Sequence, residues 1–444
     1  MQEPRQAAWS RFVAECDFEK IDERFKADAR LRVLDWLGCA VAGKDYPQTK
    51  MARAMLGEAG GKPECTVAGT QTRLPARSAA YINGVAGHVC ELDDGHRTAI
   101  GHAGSITLPP ALALAQAVGA SGAEFLKAVI LGYDAFARLG RTVNPVHYKT
   151  WHTTGTVGTI AAAVAAASLL KLNAEQTNNA IGIAATSAGG LVESFGTHAK
   201  AVNIALACQN GVDSARLAAM GFTGSPSALL GKKGFVAATC TEPHLEHLEN
   251  FSEEGLVSDT AFFKKYSSCG HTNSPLDGLC ALMKAHADIT PENVKAIHVG
   301  TYRVSVDITA ALKCATEDEA KFSVPYCFAV QIACGRVGLT QFTAEMRSNE
   351  DILELARKVR VQEDPEATAA FPRRMATVTV ELNDGTVYVE KRLNASDEAD
   401  AALVEAKFAE AAAVLGSDKV ARVIDLCRRI DSLDSVEELA QMLC

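Results

Sequence analysis

The sequence predicts a mainly α-helical protein, with a large all-helical domain and a smaller α+β lid domain inserted before the C-terminal helices. First, apolar residues recur at helical spacing through residues 10–265. Second, two alternating, β-rich runs flank Asn383-Asp384-Gly385, which is a strong hairpin signal. Third, the helical pattern returns near residue 397. We therefore expect a helical domain at residues 1–265, completed by residues 396–444, and a lid domain at residues 266–395.

The helices of the large domain are predicted from apolar residues three or four positions apart. They lie at residues 30–41, 78–92, 108–118, 122–139, 157–170, 174–187 and 199–220. This part of the sequence contains no convincing alternating strand. In the second domain we expect strands within residues 294–306 and 375–392, and helices at residues 316–334 and 351–359. The run at residues 397–415 is rich in Ala and Glu and predicts an amphipathic helix.

The charge balance excludes two classes of partner. The chain has 44 Lys and Arg against 53 Asp and Glu, a net charge of −9. It therefore has no general attraction for nucleic acid or for an anionic membrane surface. The longest stretch without these charged residues, 150–170, is mostly Ala, Gly and Thr, which favours a buried helix over a membrane span. If the ligand is an anion, the positive charge that binds it must be local.

The cysteines and the first residues indicate a reducing compartment. The 13 cysteines are odd in number and scattered, and they include no CxxC pair. This pattern argues against a disulfide framework and against an iron–sulfur cluster. Residues 1–20 contain no apolar signal core. We therefore expect a cytoplasmic location.

The first segment with candidate functional side chains is residues 87–105. A helix is predicted to end near residue 92, where Glu91, Asp93 and Asp94 crowd together. Carboxylates are disfavoured at a helix C-terminus by the macrodipole, so three of them need cations or a ligand nearby. Arg97 and His102 follow at once. The alternative interpretation is a solvated acidic turn.

Two histidines are predicted to stand next to helix starts. After His102, Thr107 or Ser105 is expected to cap a helix whose first turn holds the prolines. His152, close to Tyr148, precedes a Thr- and Gly-rich helix start that suits an anion. The positive helix end favours the neutral imidazole that a general base needs. The alternative at either position is a structural histidine.

Two lysines are candidate anion ligands. Lys200 is predicted in the first turn of a helix, where the positive helix end makes a cation unfavourable. A bound carboxylate would make the interaction favourable. Its alternative is a solvated lysine. Lys264 lies beside Lys265 where the two domains are predicted to meet, and it is either surface charge or a group that closes over an anionic ligand.

The sequence lacks the motifs of several other enzyme classes. The sequence has no G-x-S-x-G elbow, Walker loop or HExxH motif, and no strand–GxGxxG–helix unit for a dinucleotide. The spacing of His244 and His247 is typical of a metal pair, but the acidic surroundings favour a surface turn.

Taken in order, five segments resemble the MmgE/PrpD family, which includes 2-methylcitrate dehydratases, cis-aconitate decarboxylases and iminodisuccinate epimerases. The segments are Glu91-Leu-Asp-Asp94 with Gly101-His102, Trp151-His152-Thr153, Gly196-Thr-His-Ala-Lys200, Lys264-Lys265-Tyr266, and Ala320-Lys-Phe-Ser323 with Tyr326. The resemblance covers nearly the whole chain. It implies a helical domain with a smaller lid, a homodimer, a site in the cleft between domains, no organic cofactor and no required metal.

The resemblance also implies that Asp93, His102, His152, Lys200 and Lys264 fall on functional positions. We expect a catalytic set of His102, His152, Asp93 and Lys200, and a substrate-binding set of Lys264, Glu91, Asp94, Tyr148 and Arg97. Either histidine is a candidate base that takes a proton beside a carboxylate. The lysines are expected to bind substrate carboxylates and to stabilise the enolate-like charge.

Two departures from the family pattern concern the substrate. Glu91 stands where the family usually has Asp, and His102 is followed by Ala103 instead of proline. We expect a 2-methylcitrate dehydratase-like hydro-lyase acting on a small di- or tricarboxylate. The alternatives are an iminodisuccinate epimerase-like isomerase, a cis-aconitate decarboxylase-like enzyme, and a non-catalytic carboxylate-binding protein.

Overall fold

The chain forms two compact units, and the mainly α prediction is confirmed. The computed structural model describes residues 4–257, 261–395 and 401–444. The first unit contains residues 1–89, 93–263 and 399–444, and the second contains residues 90–92 and 264–398.

The first unit is built mainly from α-helices. Up to residue 263 they are α1 (Arg5–Glu15), α2 (Glu23–Ala42), α3 (Pro47–Ala59), α4 (Ala76–His88), α5 (Ala103–Val118), α6 (Gly122–Val143), α7 (Thr153–Leu169), α8 (Ala174–Ser187), α9 (Ala199–Ala219) and α10 (Phe235–Thr239). Every residue of α7 is buried, and α7 packs against α5, α6, α8 and α9. The small side chains of α7 permit this close packing: a Cβ on Gly158 would lie 3.0 Å from Ile106 Cγ2.

Four strands of two residues each complete this part of the first unit. They pair as β1 (Cys65–Thr66) with β2 (Arg73–Leu74), and as β3 (Gly95–His96) with β4 (Ala261–Phe262). The prediction of no convincing alternating strand holds for the described part of this region, because a two-residue ladder is too short to produce an alternating pattern.

The second unit is α+β. Its helices are α11 (Asn273–Ala285), α12 (Arg303–Thr309), α13 (Glu317–Lys321), α14 (Val324–Cys334), α15 (Ala344–Arg347), α16 (Glu350–Arg357) and α17 (Pro365–Ala370). Its sheet has the order β6-β5-β7-β8 and contains β5 (Val294–Thr301), β6 (Val359–Glu363), β7 (Ala376–Leu382) and β8 (Val387–Arg392). The pairing of β5 with β6 is parallel, and the other two pairings are antiparallel. The hairpin predicted at Asn383-Asp384-Gly385 is the β7–β8 connection.

The chain then returns to the first unit through α18 (Ala401–Ala411), α19 (Ser417–Arg428) and α20 (Glu437–Met442). The first residues of the predicted amphipathic run, 397–400, lie outside the described residues. In the described part of the chain, no helix combines the length and the apolar character that a membrane crossing requires.

Three predicted boundaries in the second unit were wrong. The strand predicted at residues 294–306 ends at Thr301, and α12 follows it. The helix predicted at residues 316–334 is two helices, because the Ser323 hydroxyl accepts from Tyr326 N and caps a new start. The helix predicted to reach residue 359 ends at Arg357, and Val359 opens strand β6.

Two boundaries around the candidate site also differ from the prediction. Helix α4 ends at His88 rather than near residue 92, and Glu91 has a φ of 53°, which no α-helix can contain. Helix α5 begins directly after His102, which is itself the N-cap residue, so the predicted cap at Thr107 or Ser105 was wrong.

The prolines of α5 consequently lie inside the helix rather than in its first turn. Pro109 has no N–H to donate to the carbonyl of Ser105, four residues earlier. The Cys208 thiol lies 3.3 Å from that carbonyl oxygen and donates to it. A partner from α9 thus satisfies the acceptor that the proline leaves, which permits α5 to continue.

Candidate active site

The imidazole of His102 is held at its Nδ1 atom. Nδ1 lies 2.6 Å from the backbone oxygen of Asp94 and 3.4 Å from Oδ2 of Asp93. Both oxygens are acceptors, so Nδ1 carries a hydrogen in either protonation state of the ring. A neutral His102 therefore has its lone pair on Nε2. The side chain is 14% exposed, whereas that of Asp93 is 1% exposed.

Asp93 connects His102 to a second histidine. Its Oδ2 lies 2.7 Å from Nδ1 of His88 and accepts a hydrogen bond of 2.7 Å from the Ser105 hydroxyl. A buried carboxylate needs such donors, because burial without partners costs free energy. Asp93 therefore places a carboxylate oxygen beside Nδ1 of both histidines, while the carbonyl of Asp94 makes the shorter contact that orients the ring of His102.

Asp94 fixes the backbone that carries this arrangement. Its carboxylate accepts hydrogen bonds of 2.9 Å from Gly104 N and from the Tyr133 hydroxyl, and Nη1 of Arg32 lies 3.7 Å away. Burial raises the pKa of Asp94 to about 6, and the positive charge of Arg32 opposes that rise. Through its side chain Asp94 ties α2, α5 and α6 together, while its carbonyl oxygen holds His102.

Replacing Gly104 with alanine should disturb this network. The added Cβ would lie 2.8 Å from the Tyr133 hydroxyl and 2.9 Å from Oδ1 of Asp94. We expect Gly104→Ala to lower the free energy of unfolding by about 1–3 kcal/mol and to lower kcat. Denaturation and steady-state kinetics measure both effects. The matched control is Gly57→Ala in α3, where a Cβ meets nothing within 4 Å; if both variants behave alike, Asp94 does not hold the site.

His152 is the N-cap residue of α7, as predicted for the start of that helix. Its ring packs edge-on against Phe195 with 4.9 Å between centroids. Nζ of Lys200 lies 5.3 Å from the centroid of the same ring, a distance at which a cation is attracted by the ring face. Lys200 is the second residue of α9 and is buried, so the predicted position in a first helical turn is confirmed.

The ring of His88 links the two histidines of the sequence motifs. Its centroid lies 4.9 Å from that of His102 and 6.4 Å from that of His152. Four helix ends, those of α4, α5, α7 and α9, thus bring these three imidazoles and Lys200 into one cluster. Each imidazole or ammonium stands at the end of a helix, where small helical shifts would move it.

The other predicted residues have distinct surroundings. The ring centroid of Tyr148 lies 6.2 Å from that of Phe195, the ring that also packs against His152. The guanidinium of Arg97 lies 4.6 Å from the centroid of Phe262, the residue that pairs β4 with β3.

Lys264 and Glu91 belong to the second unit. Nζ of Lys264 lies 3.2 Å from Oε2 of Glu91 and 2.9 Å from the backbone oxygen of Glu91. The Lys264 side chain is 0% exposed and the Glu91 side chain is 7% exposed, so the ion pair is buried. Their roles toward a substrate stay predictions.

Three of the clustered side chains also offer atoms to a metal ion. In the described residues, His88, Asp93 and His102 each supply a ligand atom within 4.8 Å of the others. Nδ1 of His88 and Nδ1 of His102 are, however, engaged with oxygens of Asp93 and Asp94. A metal bound at either Nδ1 atom would have to replace its proton, because a ligand nitrogen must carry a lone pair. The expectation of no required metal stays a prediction.

Sequence reasoning missed His88 and Asn203. His88 lies five residues before Asp93, and a helix continued to residue 92 would have placed the two on different faces. The early end of α4 is what brings them together. Asn203, whose Nδ2 lies 3.1 Å from Nδ1 of His152, is three residues after Lys200 on α9. That spacing places both on one helix face and could have identified it.

Comparisons with known proteins cover nearly all of the chain. The model of the MmgE/PrpD N-terminal domain matches residues 7–248, and that of the MmgE/PrpD C-terminal domain matches residues 266–431. Two fungal relatives each cover 94% of this chain. The cis-aconitate decarboxylase-like protein oryM of Aspergillus oryzae is 25% identical over 92% of its own length, and the cis-aconitate decarboxylase of Aspergillus terreus is 26% identical over 91%.

A human relative extends the comparison beyond the fungi. The cis-aconitate decarboxylase of Homo sapiens is 26% identical over 84% of this chain and 80% of its own length. The resemblance that the five sequence segments predict is thereby confirmed. The chain belongs to the MmgE/PrpD family.

Proposed function

We propose that this protein is a lyase that removes a proton from the carbon beside a carboxylate of a small di- or tricarboxylate, with His102 as the base. Family membership and relatives named as decarboxylases support an enzyme of the lyase class. The observation that carries the choice of base is the pair of acceptors around Nδ1 of His102. They leave the lone pair of the neutral ring on Nε2, the nitrogen that would receive the proton.

The positive charge for the substrate would come from Lys200 and from helix ends. Lys200 is buried in the first turn of the 21-residue helix α9, and His152 caps the 17-residue helix α7. Backbone N–H groups at such ends favour an anion, and a bound carboxylate would offset the cost of a cation there. Fixed positive groups then stabilise the enolate-like charge as it develops.

In the proposed dehydration, Nε2 of His102 takes the α-proton and the C–H electron pair moves into the adjacent carboxylate. The imidazolium then returns the proton to the β-hydroxyl group. This group leaves as water while the C=C bond forms. The step needs no external oxidant or reductant, and His102 ends as it began.

Decarboxylation of a cis-aconitate-like tricarboxylate is the second candidate, and the named relatives favour it. In that reaction a C–C bond breaks, CO₂ leaves, and the proton that moves is delivered to carbon. A base with its lone pair on Nε2 suits proton removal first, which is why we place dehydration ahead. Epimerisation would begin with the same removal.

The test is proton NMR in D₂O of the purified protein with citrate-like, aconitate-like and amino-dicarboxylate substrates. New vinyl signals at constant carbon count are expected for the dehydratase. Loss of a carboxylate carbon would identify a decarboxylase, and deuterium at the α-carbon without net conversion an epimerase. If every substrate stayed unchanged while still binding, the non-catalytic carboxylate-binding protein would replace this proposal.

The homodimer and the cytoplasmic location are also proposals. The dimer follows from the family resemblance, and the location follows from scattered cysteines without CxxC pairs. Light scattering of the purified protein tests the dimer, with a mass of about twice the 47.0 kDa chain expected.

A further inference from the structure

We propose that Asn203 is a positioning residue that fixes His152 as a neutral hydrogen-bond donor, so that the two motif histidines have different roles. This inference rests on the proposed function and divides its chemistry between His102 and His152. The number of hydrogens that each polar group near His152 can donate determines which of its ring nitrogens is protonated.

The orientation of the Asn203 amide follows from Ser194. The Ser194 hydroxyl has one hydrogen, and it donates that hydrogen to the Leu191 carbonyl at 2.7 Å. Toward Asn203 it therefore acts as an acceptor. The Asn203 atom at 3.0 Å from Oγ of Ser194 must be the amide nitrogen, because an amide oxygen there would face another acceptor.

The same amide nitrogen determines the tautomer of His152. Nδ2 of Asn203 lies 3.1 Å from Nδ1 of His152. An amide NH₂ group only donates, so Nδ1 accepts and carries the lone pair. A neutral His152 therefore has its hydrogen on Nε2. This is the opposite of His102, whose Nδ1 faces two acceptors.

Packing fixes the position of the Asn203 side chain beside His152. The side chain lies against the loop before α9 and the start of α7: a Cβ on Gly190 would lie 3.2 Å from Cγ of Asn203, and one on Gly155 would lie 3.1 Å from its Cβ. Side chains at these two glycines would therefore displace the amide, whereas the Ser194 hydroxyl decides which end of the amide faces the ring.

Two effects oppose protonation of Nδ1 of His152. An added hydrogen there would point at the N–H of Asn203, so two donors would face each other. His152 also caps the positive end of α7, which disfavours an imidazolium. His102 caps α5 in the same way, but the carboxylate of Asp93 lies 3.4 Å from its Nδ1 and offsets this effect. His152 is therefore unsuited to take the α-proton.

A neutral imidazole can still contribute to the reaction as a donor. Its Nε2–H would donate to the substrate carboxylate oxygen on which negative charge develops after His102 has taken the proton. No bond to His152 forms or breaks in this step. A neutral histidine beside a helix N-terminus is suited to such electrophilic stabilisation.

The direct test is ¹⁵N NMR of the full chain labelled at histidine, without substrate. The two ring nitrogens have different shifts in the two tautomers, and His102→Asn and His152→Asn variants assign the signals. We expect the Nε2–H form for His152 and the Nδ1–H form for His102. In Asn203→Asp, the carboxylate should accept from Nδ1 and shift His152 toward the Nδ1–H or doubly protonated form. A wild-type His152 in the Nδ1–H form would overturn the proposal.

Matched variants test the role in turnover. His152→Gln keeps an N–H near the position of Nε2, whereas His152→Asn does not, so Gln should retain more kcat than Asn. Asn203→Asp should lower kcat by about 10²-fold where His152 takes the Nδ1–H form, because Nε2 then has no hydrogen to donate to the developing charge. Asn210→Asp is the control, because Asn210 lies two turns further along α9 and donates to the Ser187 carbonyl. Equal kcat for Asn203→Asp and Asn210→Asp would contradict the positioning role.

The Asn203 proposal and the proposed reaction can fail separately, because the tautomer of His152 is measured without any substrate. If the NMR spectrum shows the expected tautomers but the wild-type protein removes no α-proton from the tested substrates, the proposed reaction fails and the role of Asn203 as the residue that fixes the tautomer survives. If α-proton removal occurs while His152 has the Nδ1–H form, the role of Asn203 fails and the proposed reaction survives.

Discussion

Replacing His102 with asparagine should lower kcat/KM by about 10²–10⁴-fold while the fold stays intact, because general base catalysis contributes that much. The amide N–H of asparagine occupies the position of Nδ1–H, so the hydrogen bond to the Asp94 carbonyl is kept. The variant removes Nε2, the nitrogen that takes the proton. Steady-state kinetics on the substrate that the NMR panel identifies measure the loss, and circular dichroism with thermal melting checks the fold.

His244→Asn is the control for the same substitution at a solvent-exposed histidine, and its activity should equal that of the wild type. His102→Gln should be as inactive as His102→Asn, since neither amide can take a proton. Activity of either His102 variant within about tenfold of the wild type would remove His102 as the base.

Replacing Lys264 with methionine should lower the free energy of unfolding by about 3–5 kcal/mol, because the buried carboxylate of Glu91 would lose its partner. Nζ of Lys264 binds both the side chain and the backbone oxygen of Glu91, and both side chains are buried. The backbone oxygen belongs to a residue with φ of 53°, so the ammonium also holds an uncommon conformation. Urea denaturation measures the loss.

Two further variants separate the sources of this loss. Lys264→Met combined with Glu91→Gln should recover most of the stability, because no unpaired charge remains buried. Lys295→Met breaks a partly exposed pair with Glu381 in the same unit and should cost less than about 1 kcal/mol. If Lys264→Met leaves stability unchanged and raises KM sharply, the main partner of the Lys264 ammonium is the substrate and not the Glu91 carboxylate.

The fold was largely predictable because its signals are local. Helical periodicity identified the positions of α6, α8 and α9, and Asn383-Asp384-Gly385 identified the β7–β8 hairpin. The errors occurred where a distant residue decides the outcome. Helix α5 continues through Pro109 because Cys208, 99 positions away, satisfies the free carbonyl of Ser105 with a thiol donor.

In the candidate site, too, the local features were predictable and the contacts with distant residues were not. The sequence indicated helix starts close after His102 and His152, and both are N-cap residues, although the residues expected to cap α5 were the wrong ones. What they bond to was not predictable, since Asp94 is fixed by Tyr133 and Arg32 from other helices. Periodicity indicates which face of a helix is buried, but not which residue of another helix meets it.

The most direct measurement of proton removal by His102 uses a substrate deuterated at the carbon beside a carboxylate, with loss of the deuterium in H₂O followed by NMR for the wild type and for His102→Asn at equal concentration. We predict that the wild type releases an α-deuteron as the vinyl signal appears, and that His102→Asn slows this release to the same extent as turnover. Turnover that keeps every α-deuteron, or equal release by both proteins, would contradict this role of His102.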